Sequence, residues 1–167
     1  MNALVVENGV LRADGHAFRC AVGRGGIVAG ARKREGDGAT PAGRLALRTG
    51  FYRADRVLAS SPLPFRPIEA DMWWDDDPAS PAYNTLRARA PAAHPERLWR
   101  ADGVYDWIVP LGWNDRPPIP GRGSAIFLHV ARPDFAPTAG CVAIAADDWP
   151  ALLPALTPES VIDIRGA

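Results

Sequence analysis

Short alternations of apolar and polar residues, separated by turn-forming dipeptides, fill the first third of the chain. The segments are ALVVE, VLRA, HAFRCAV and RLALRTGFYRADRVL, at residues 3–7, 10–13, 16–22 and 44–58. The Asn-Gly pair at 8–9 and the Asp-Gly pair at 14–15 tolerate positive φ and favour tight hairpin turns. Phe18 and Cys20 share one face of the third predicted strand, so we expect Cys20 to point with Phe18 into the core. The pattern predicts a β-meander.

The last third of the chain predicts further strands and one helix. YDWIVPLGW, GSAIFLHV and SVIDIR, at 105–113, 123–130 and 160–165, are strand patterns. The uninterrupted apolar run in the second of these indicates burial on both faces. Residues 147–156, DDWPALLPAL, carry a Trp and three Leu at i, i+3, i+4 and i+7, which is one apolar helical face. Pro154 should kink or shorten this helix.

The middle of the chain, roughly residues 60–103, breaks the strand pattern. It is rich in Pro and Ala and contains DMWWDDDPASPAYN at 71–84, where two tryptophans meet three carboxylates. Long irregular segments of this kind often form lids or binding loops. A short helix is expected over 81–90. The whole pattern predicts a mainly β fold, a sandwich or meander with one or two peripheral helices, in a single domain spanning 1–167.

The composition narrows the partners and the compartment. The 167 residues include 19 basic and 19 acidic side chains, a balance that predicts no general attraction to nucleic acid or to an anionic membrane. The longest apolar run is too short to cross a bilayer, and the start, MNALVVENG, has no basic leader. Two cysteines are too few for a disulfide framework. We therefore expect a cytoplasmic protein with reduced thiols.

The sequence contains no motif for a cofactor or a metal, and none is expected. The Gly-Asp-Gly turn at 36–38 lacks the Lys-Ser/Thr that a phosphate-binding loop requires, and neither CxxC nor HExxH spacing occurs. His16, beside a hairpin turn, and His94, in a Pro- and Ala-rich stretch, are expected to be exposed. Nothing in these segments predicts a nucleotide or metal site.

One stretch, HVARPDFAPTAGCVAI at 129–144, combines a histidine with a cysteine. A cysteine attacks as its thiolate, and a neighbouring imidazole can take the thiol proton and return it to a leaving group. A glycine before the cysteine permits a turn that leaves backbone amides facing a substrate. Cys141 and His129 are therefore a candidate nucleophile and base. Spacing alone equally allows a buried thiol and a strand-end core histidine.

This stretch, with His129 followed by Thr-Ala-Gly-Cys, is similar to the signature of L,D-transpeptidase (YkuD-like) catalytic domains, in which a His precedes Ser/Thr-x-Gly-Cys. REGDGATPAG at 34–43 resembles the early Thr-Pro-x-Gly turn of this family, and YDWIVPLGWND and GRGSAIFLHV resemble its strand pair leading to the catalytic His. The resemblance covers about residues 30–165. It implies the mainly β YkuD-like fold and an acyl-enzyme mechanism on peptidoglycan stem peptides or muropeptides, without a cofactor.

The resemblance also implies roles for individual residues. Cys141 would attack the L,D bond before the terminal D-Ala, and His129 would act as base and then acid, oriented by a backbone carbonyl. Amides around Ala139, Gly140 and Cys141 would form the oxyanion hole. Many members have His before the Gly-Cys pair and Arg or Asn two residues after the Cys; this chain has Ala139 and Ala143 there, so the substrate environment should differ.

Signal-less members of the family include L,D-carboxypeptidases of cell-wall recycling, which this chain resembles. We therefore expect hydrolysis that releases D-Ala from a tetrapeptide. An L,D-transpeptidase that forms cross-links is the alternative, and a non-catalytic peptidoglycan-binding module is the second alternative.

The candidate substrate-binding residues fall into two groups. Arg132 has a fork-shaped guanidinium suited to a terminal carboxylate, although surface solvation would also explain it, and Thr138 and Ala139 adjoin the nucleophile. The aromatic and acidic segment of the middle region adds Trp73, Trp74, Asp75, Tyr83 and Asn84. The carboxylates of this segment, Asp75, Asp76 and Asp77, could hold the ammonium groups of a stem peptide. Core packing is the alternative explanation for the tryptophans.

Overall fold

The computed structural model of the chain describes residues 3–91 and 95–166, and most of its strands join one strongly curved sheet. The strands are β1 (Ala3–Glu7), β2 (Val10–Ala13), β3 (His16–Ala21), β4 (Ile27–Val28), β5 (Thr40–Pro41), β6 (Gly43–Ala46), β7 (Gly50–Tyr52), β8 (Phe65–Pro67), β9 (Trp73–Asp75), β10 (Leu86–Arg87), β11 (Pro95–Arg97), β12 (Trp107–Pro110), β13 (Phe127–Val130), β14 (Val142–Ile144) and β15 (Val161–Ile164). The large sheet has the order β6-β15-β1-β2-β3-β14-β13-β12-β7-β8, and β10-β9-β11 and β4-β5 form two small sheets. The predicted mainly β fold is confirmed.

Strand β3 connects the two halves of the large sheet. Its first residues pair with β2, and Cys20 and Ala21 pair with Ile144 and Ala143 of β14. The two hairpin turns at 8–9 and 14–15 have positive φ at both positions, as their Asn-Gly and Asp-Gly sequences predict. The strand therefore bends the sheet around a core to which both halves contribute.

The main core fills the inside of this curve. Apolar side chains from β1, β2 and β15 meet those from β12, β13 and β14, and Cys20 is buried among them, as expected. Helix α1 (Trp149–Leu152) closes the core, with the Trp149 ring stacked on Trp107 at a centroid distance of 5.6 Å. A 3-10 turn, Leu153–Ala155, follows α1 and contains Pro154, so the proline shortens the helix as predicted. Further 3-10 turns cover Gly30–Arg32 and Ala146–Asp148.

The outer face of β12, β13 and β14 is also buried, because the middle of the chain covers it. Phe51, Ile108, Phe127 and Cys141 lie in this second apolar cluster, with side chains from the 68–105 region packed over them. The apolar run ending at Val130 is thus buried on both faces, as its sequence predicts.

The helix predicted over 81–90 is wrong. The chain there forms turns and the two-residue strand β10. Asn84 has a φ of +59°, which a right-handed helix excludes, and its side-chain amide donates to the carbonyls of Trp113 and Asn114 at 3.0 and 2.8 Å. These long-range bonds hold the segment as a loop.

His16 is exposed beside its hairpin turn, as expected, and His94 lies outside the described residues. Across 3–91 and 95–166, no helix has the length and apolar character that a membrane span requires.

Candidate active site

Parallel strands β13 and β14 bring His129 and Cys141 to the same face of the sheet. His129 is paired in register with Ala143, and Cys141 immediately precedes β14. Paired residues point to the same side of a sheet, and so do residues two positions apart on one strand. The thiol, the Ala143 methyl group and the imidazole therefore share one face. Cys20 lies on the opposite face, inside the main core.

The ring of His129 is held by one backbone bond and one aromatic contact. Its Nδ1 lies 2.8 Å from the carbonyl oxygen of Val130, which can only accept, so Nδ1 carries the proton. The Tyr105 ring packs edge-on against the imidazole at a centroid distance of 5.4 Å. A backbone carbonyl thus orients the histidine, and Nε2 is left as the proton acceptor.

Burial keeps both groups neutral in the resting protein. Burial, together with the positive charges of Arg100 and Arg132, lowers the pKa of His129 to about 4. Burial also raises the pKa of the Cys141 thiol to about 12. The Cys141 Sγ donates to the Ala125 carbonyl and accepts from the Phe127 amide, both at 3.3 Å. At neutral pH the site therefore contains a thiol and a neutral imidazole, not an ion pair.

Thr138 fixes the turn that carries the cysteine. Its Oγ1 accepts from the Gly140 amide at 3.0 Å and donates to the Cys141 carbonyl at 2.7 Å. The Thr138 amide in turn donates to the Val22 carbonyl at 2.9 Å, which ties the turn to the end of β3. The Thr138 hydroxyl thus links the Gly140 amide to the Cys141 carbonyl and holds the turn that carries the thiol.

Glycine is required at position 140. Its φ of +138° lies in a region that side chains rarely adopt, and an added Cβ would lie 2.9 Å from the Ala39 carbonyl oxygen. Ala39 belongs to the early Gly/Asp turn followed by Thr-Pro-x-Gly. The two motifs of the sequence therefore meet at this glycine.

A cleft of about 280 Å³ opens over the thiol and the imidazole. Three of the predicted substrate-binding residues line it together with Cys141 and His129, namely Arg132, Thr138 and Ala139. Arg132 is exposed, and among the described residues no hydrogen bond or ion pair engages its guanidinium. The cleft therefore offers one uncommitted positive charge close to the imidazole.

Of the aromatic and acidic group predicted from the middle of the chain, Asp76 alone lines this cleft. Asp75 is buried, and it accepts from the Ser80 hydroxyl at 2.7 Å and from Arg87 at 3.2 Å. Trp73 packs beneath the Arg97 guanidinium, at 5.4 Å from the charge to the ring centroid. These contacts organise the loop itself.

Trp74 and Asn84 line a different cavity, of about 310 Å³. The indole Nε1 of Trp74 donates to Asn84 Oδ1 at 2.9 Å, and its ring packs edge-on against Phe127. Tyr83 is buried, and its hydroxyl donates to Glu35 at 2.7 Å. Tyr83 thus does not line the Cys141 cleft itself, but it is hydrogen-bonded to Glu35, which does.

Several charged and polar residues of the cleft were not predicted from the sequence. They are Glu35, Glu96, Arg100, Tyr105 and Ser124. Glu35 and Ser124 lie inside the two motifs that resemble the family, and a polar residue at the start of the apolar run was a usable signal for Ser124. Glu96 and Arg100 come from the irregular middle segment, where no local pattern marks them. Within the described part of the chain, no group of His, Cys, Asp and Glu could hold a metal ion.

Comparison with known proteins gives one result. The family model of the L,D-transpeptidase catalytic domain (YkuD) matches residues 2–164. Neither the curated proteins nor the solved structures contain a significant match to the sequence.

Proposed function

This chain belongs to the L,D-transpeptidase catalytic-domain (YkuD) family, whose members act on peptidoglycan peptides, and we propose that it is a cysteine L,D-carboxypeptidase. The substrate in this proposal is a stem tetrapeptide, free or as a muropeptide, and the products are the tripeptide and D-alanine. The observation that carries the proposal is the convergence of Cys141, His129 and the uncommitted Arg132 in one cleft.

Acylation begins from the neutral pair. Cys141 Sγ attacks the carbonyl carbon between the diamino acid and D-Ala while its proton passes to Nε2 of His129, and the carbonyl oxygen becomes an oxyanion. The imidazolium then donates this proton to the nitrogen of D-Ala, the C–N bond breaks, and a thioester remains on Cys141. The Gly140 amide already donates to Thr138 Oγ1. The amides of Ala139 and Cys141 are therefore the stronger candidates for binding the oxyanion.

Deacylation uses the same base. His129 takes a proton from water as the water oxygen attacks the thioester carbonyl, and the collapse of the intermediate expels the sulfur. The sulfur recovers the proton from the imidazolium, which restores the neutral pair. General acid–base assistance of this kind is worth about 10²- to 10⁴-fold in rate.

The position of Arg132 indicates the end of the cleft at which the D-Ala leaving group binds. Its charge is close enough to His129 to lower the pKa of that imidazole. A guanidinium beside the group that protonates the departing amine is well placed to bind the carboxylate of D-Ala. Arg100 is less suitable, because its Nε and Nη2 already donate to the two carboxylate oxygens of Asp102, at 3.1 and 2.6 Å.

The choice of water as the acceptor follows from the resemblance to the L,D-carboxypeptidases of the family. The cleft, at about 280 Å³, lies near the lower end of the range of ligand pockets and is compatible with one short peptide. Hydrolysis of this kind suits the recycling of wall fragments, and a cytoplasmic location stays a prediction of the sequence.

The test is to incubate the purified protein with a stem tetrapeptide, alone and with an amine acceptor, in water enriched in the heavy oxygen isotope. We expect D-Ala release, with one heavy oxygen in the new tripeptide carboxylate and little cross-linked product. Cys141→Ser should abolish release with the fold retained. Cys20→Ser is the matched control and should keep full activity, because that thiol faces the core.

Each other outcome selects another function. A dominant cross-linked product would assign the chain as a transpeptidase. Peptide binding without turnover, together with a Cys141 no more reactive to alkylation than Cys20, would assign it as a binding module. Activity retained by Cys141→Ser would overturn the mechanism.

A further inference from the structure

Glu35 contributes a fixed carboxylate to the cleft. Its Oε1 accepts two hydroxyl hydrogens, from Tyr83 at 2.7 Å and from Ser124 at 2.5 Å. Its backbone amide donates to the Gly121 carbonyl at 2.8 Å. Burial and the Glu35 carboxylate together raise the pKa of Tyr83, so this hydroxyl stays a donor. Two side chains and one backbone bond therefore hold the carboxylate in one orientation.

The second oxygen of Glu35 has no partner in the described part of the chain. Hydroxyl groups alone bind Oε1, and no hydrogen bond or ion pair engages Oε2. Two other charged groups near the cleft are paired within the protein. Glu96 accepts from the Tyr105 hydroxyl and pairs with Arg100, at 2.6 and 3.6 Å, and Lys33 pairs with Asp37 at 2.7 Å. Glu35 thus differs from these groups in offering its negative charge to a ligand.

The order of residues along β13 indicates which end of the cleft faces the leaving group and which faces the acyl part of the substrate. Ser124 and Ala125 precede the strand, and Ser124 binds Glu35; His129 lies within the strand and Arg132 just beyond its end. The Cys141 Sγ bonds to the Ala125 carbonyl, so the nucleophile lies between Glu35 and the His129–Arg132 side. The leaving amine must reach His129 to be protonated. The acyl part of the substrate therefore extends toward Glu35.

We propose that Glu35 binds the side-chain ammonium of the diamino acid whose carbonyl Cys141 attacks. This assignment rests on the proposed function, and it adds the residue that recognises the free amine at the end of the third side chain of the stem peptide. A fixed carboxylate with one open oxygen gives a charge-assisted hydrogen bond to an ammonium group. Asp76 also lines the cleft, and it adds to the negative potential without being required by the assignment.

The test compares two synthetic tetrapeptides that differ only at the third residue. One carries lysine and the other norleucine, which has the same four-carbon chain without the ammonium group. We expect the protein to prefer the lysine peptide by about 10- to 100-fold in kcat/KM, the range for a hydrogen bond to a charged group. Glu35→Gln keeps an acceptor oxygen for both hydroxyls and should reduce this ratio to near one.

Two controls keep the result specific. Glu159→Gln removes an exposed carboxylate at a distant turn and should keep the preference. The same pair of peptides is titrated into Cys141→Ala by calorimetry, with and without Glu35→Gln, so that the preference is also measured as affinity without turnover.

The outcomes separate the two proposals. Binding preference without turnover overturns the carboxypeptidase function and supports the role of Glu35. Turnover with equal use of both peptides, or a preference that survives in Glu35→Gln, overturns the role of Glu35 alone. If Glu35→Gln fails to fold, the unsubstituted protein still decides, because equal affinity for both peptides contradicts the assignment.

Discussion

Replacing Thr138 by Val tests whether one hydroxyl holds the nucleophile in place. The change preserves the shape of the side chain but removes the acceptor for the Gly140 amide and the donor to the Cys141 carbonyl. Each buried polar group left without a partner costs about 1–3 kcal/mol. Thr138 is only partly buried, so water relieves some of this cost, and we expect a loss of about 2–4 kcal/mol in the free energy of unfolding.

The effect on activity should exceed the effect on substrate binding. A turn that loses both bonds lets the thiol drift from its position in the cleft that it shares with the imidazole, and a misplacement of about 1 Å costs about 10²-fold in rate. We therefore expect kcat for D-Ala release to fall about 100-fold while KM changes little. Urea unfolding gives the stability and D-Ala release gives the rate.

Thr138→Ser is the matched control, because it keeps the hydroxyl and loses only a methyl group. It should keep most of the activity and unfold within about 1 kcal/mol of the unsubstituted protein. If the Val and Ser variants are equally stable and equally active, the hydroxyl does not hold the turn and the argument fails.

Three further predictions concern the same turn and the histidine. Gly140→Ala should lower the free energy of unfolding by about 2–4 kcal/mol, because it combines strain with a contact to Ala39; Gly15→Ala, where the added Cβ meets open space, should cost about 1 kcal/mol, and equal costs in urea unfolding would contradict the contact. Because the pKa of His129 falls from 6.5 to about 4 on folding, the unfolded state binds the proton first, and stability should fall as pH drops between these values. The loss is at most about 3 kcal/mol, and unfolding of His129→Gln at the same pH values should lack it. The acid limb of kcat/KM should also lie near pH 4, so an acid limb near 6.5 would show that the imidazole is not desolvated as described.

The sequence predicts well those parts of the fold that local chemistry decides. The two early hairpins follow from dipeptides that accept positive φ, and the buried strand that carries His129 follows from an uninterrupted apolar run. Pro154 limits the length of the helix because its backbone nitrogen carries no hydrogen and cannot donate a helical hydrogen bond. Each of these features depends on residues that are neighbours along the chain, so the local sequence is sufficient to predict it.

The sides of the cleft are decided by contacts between distant segments, and the sequence predicts these poorly. The carboxylates after the tryptophan pair resemble a binding surface, yet Asp75 turns inward because Ser80 and Arg87 satisfy it. Asn84 leaves the helical region because its amide reaches carbonyls about 30 positions away. Hydrogen bonds between segments this far apart leave no periodic pattern in the sequence.

The alanine at position 143 bears on whether the chain is a catalyst or a binding module. Many members have Arg or Asn at this position, and a comparison restricted to it would favour a chain that has lost its activity. In the structure Ala143 is paired with His129 and packs with Ala21 and Ala131. The positive charge near that imidazole comes instead from Arg132 and from Arg100 of the middle segment, both close enough to lower its pKa. Because catalysis depends on where charge lies relative to the reacting atoms and not on which strand supplies it, the loss at 143 does not argue against catalysis.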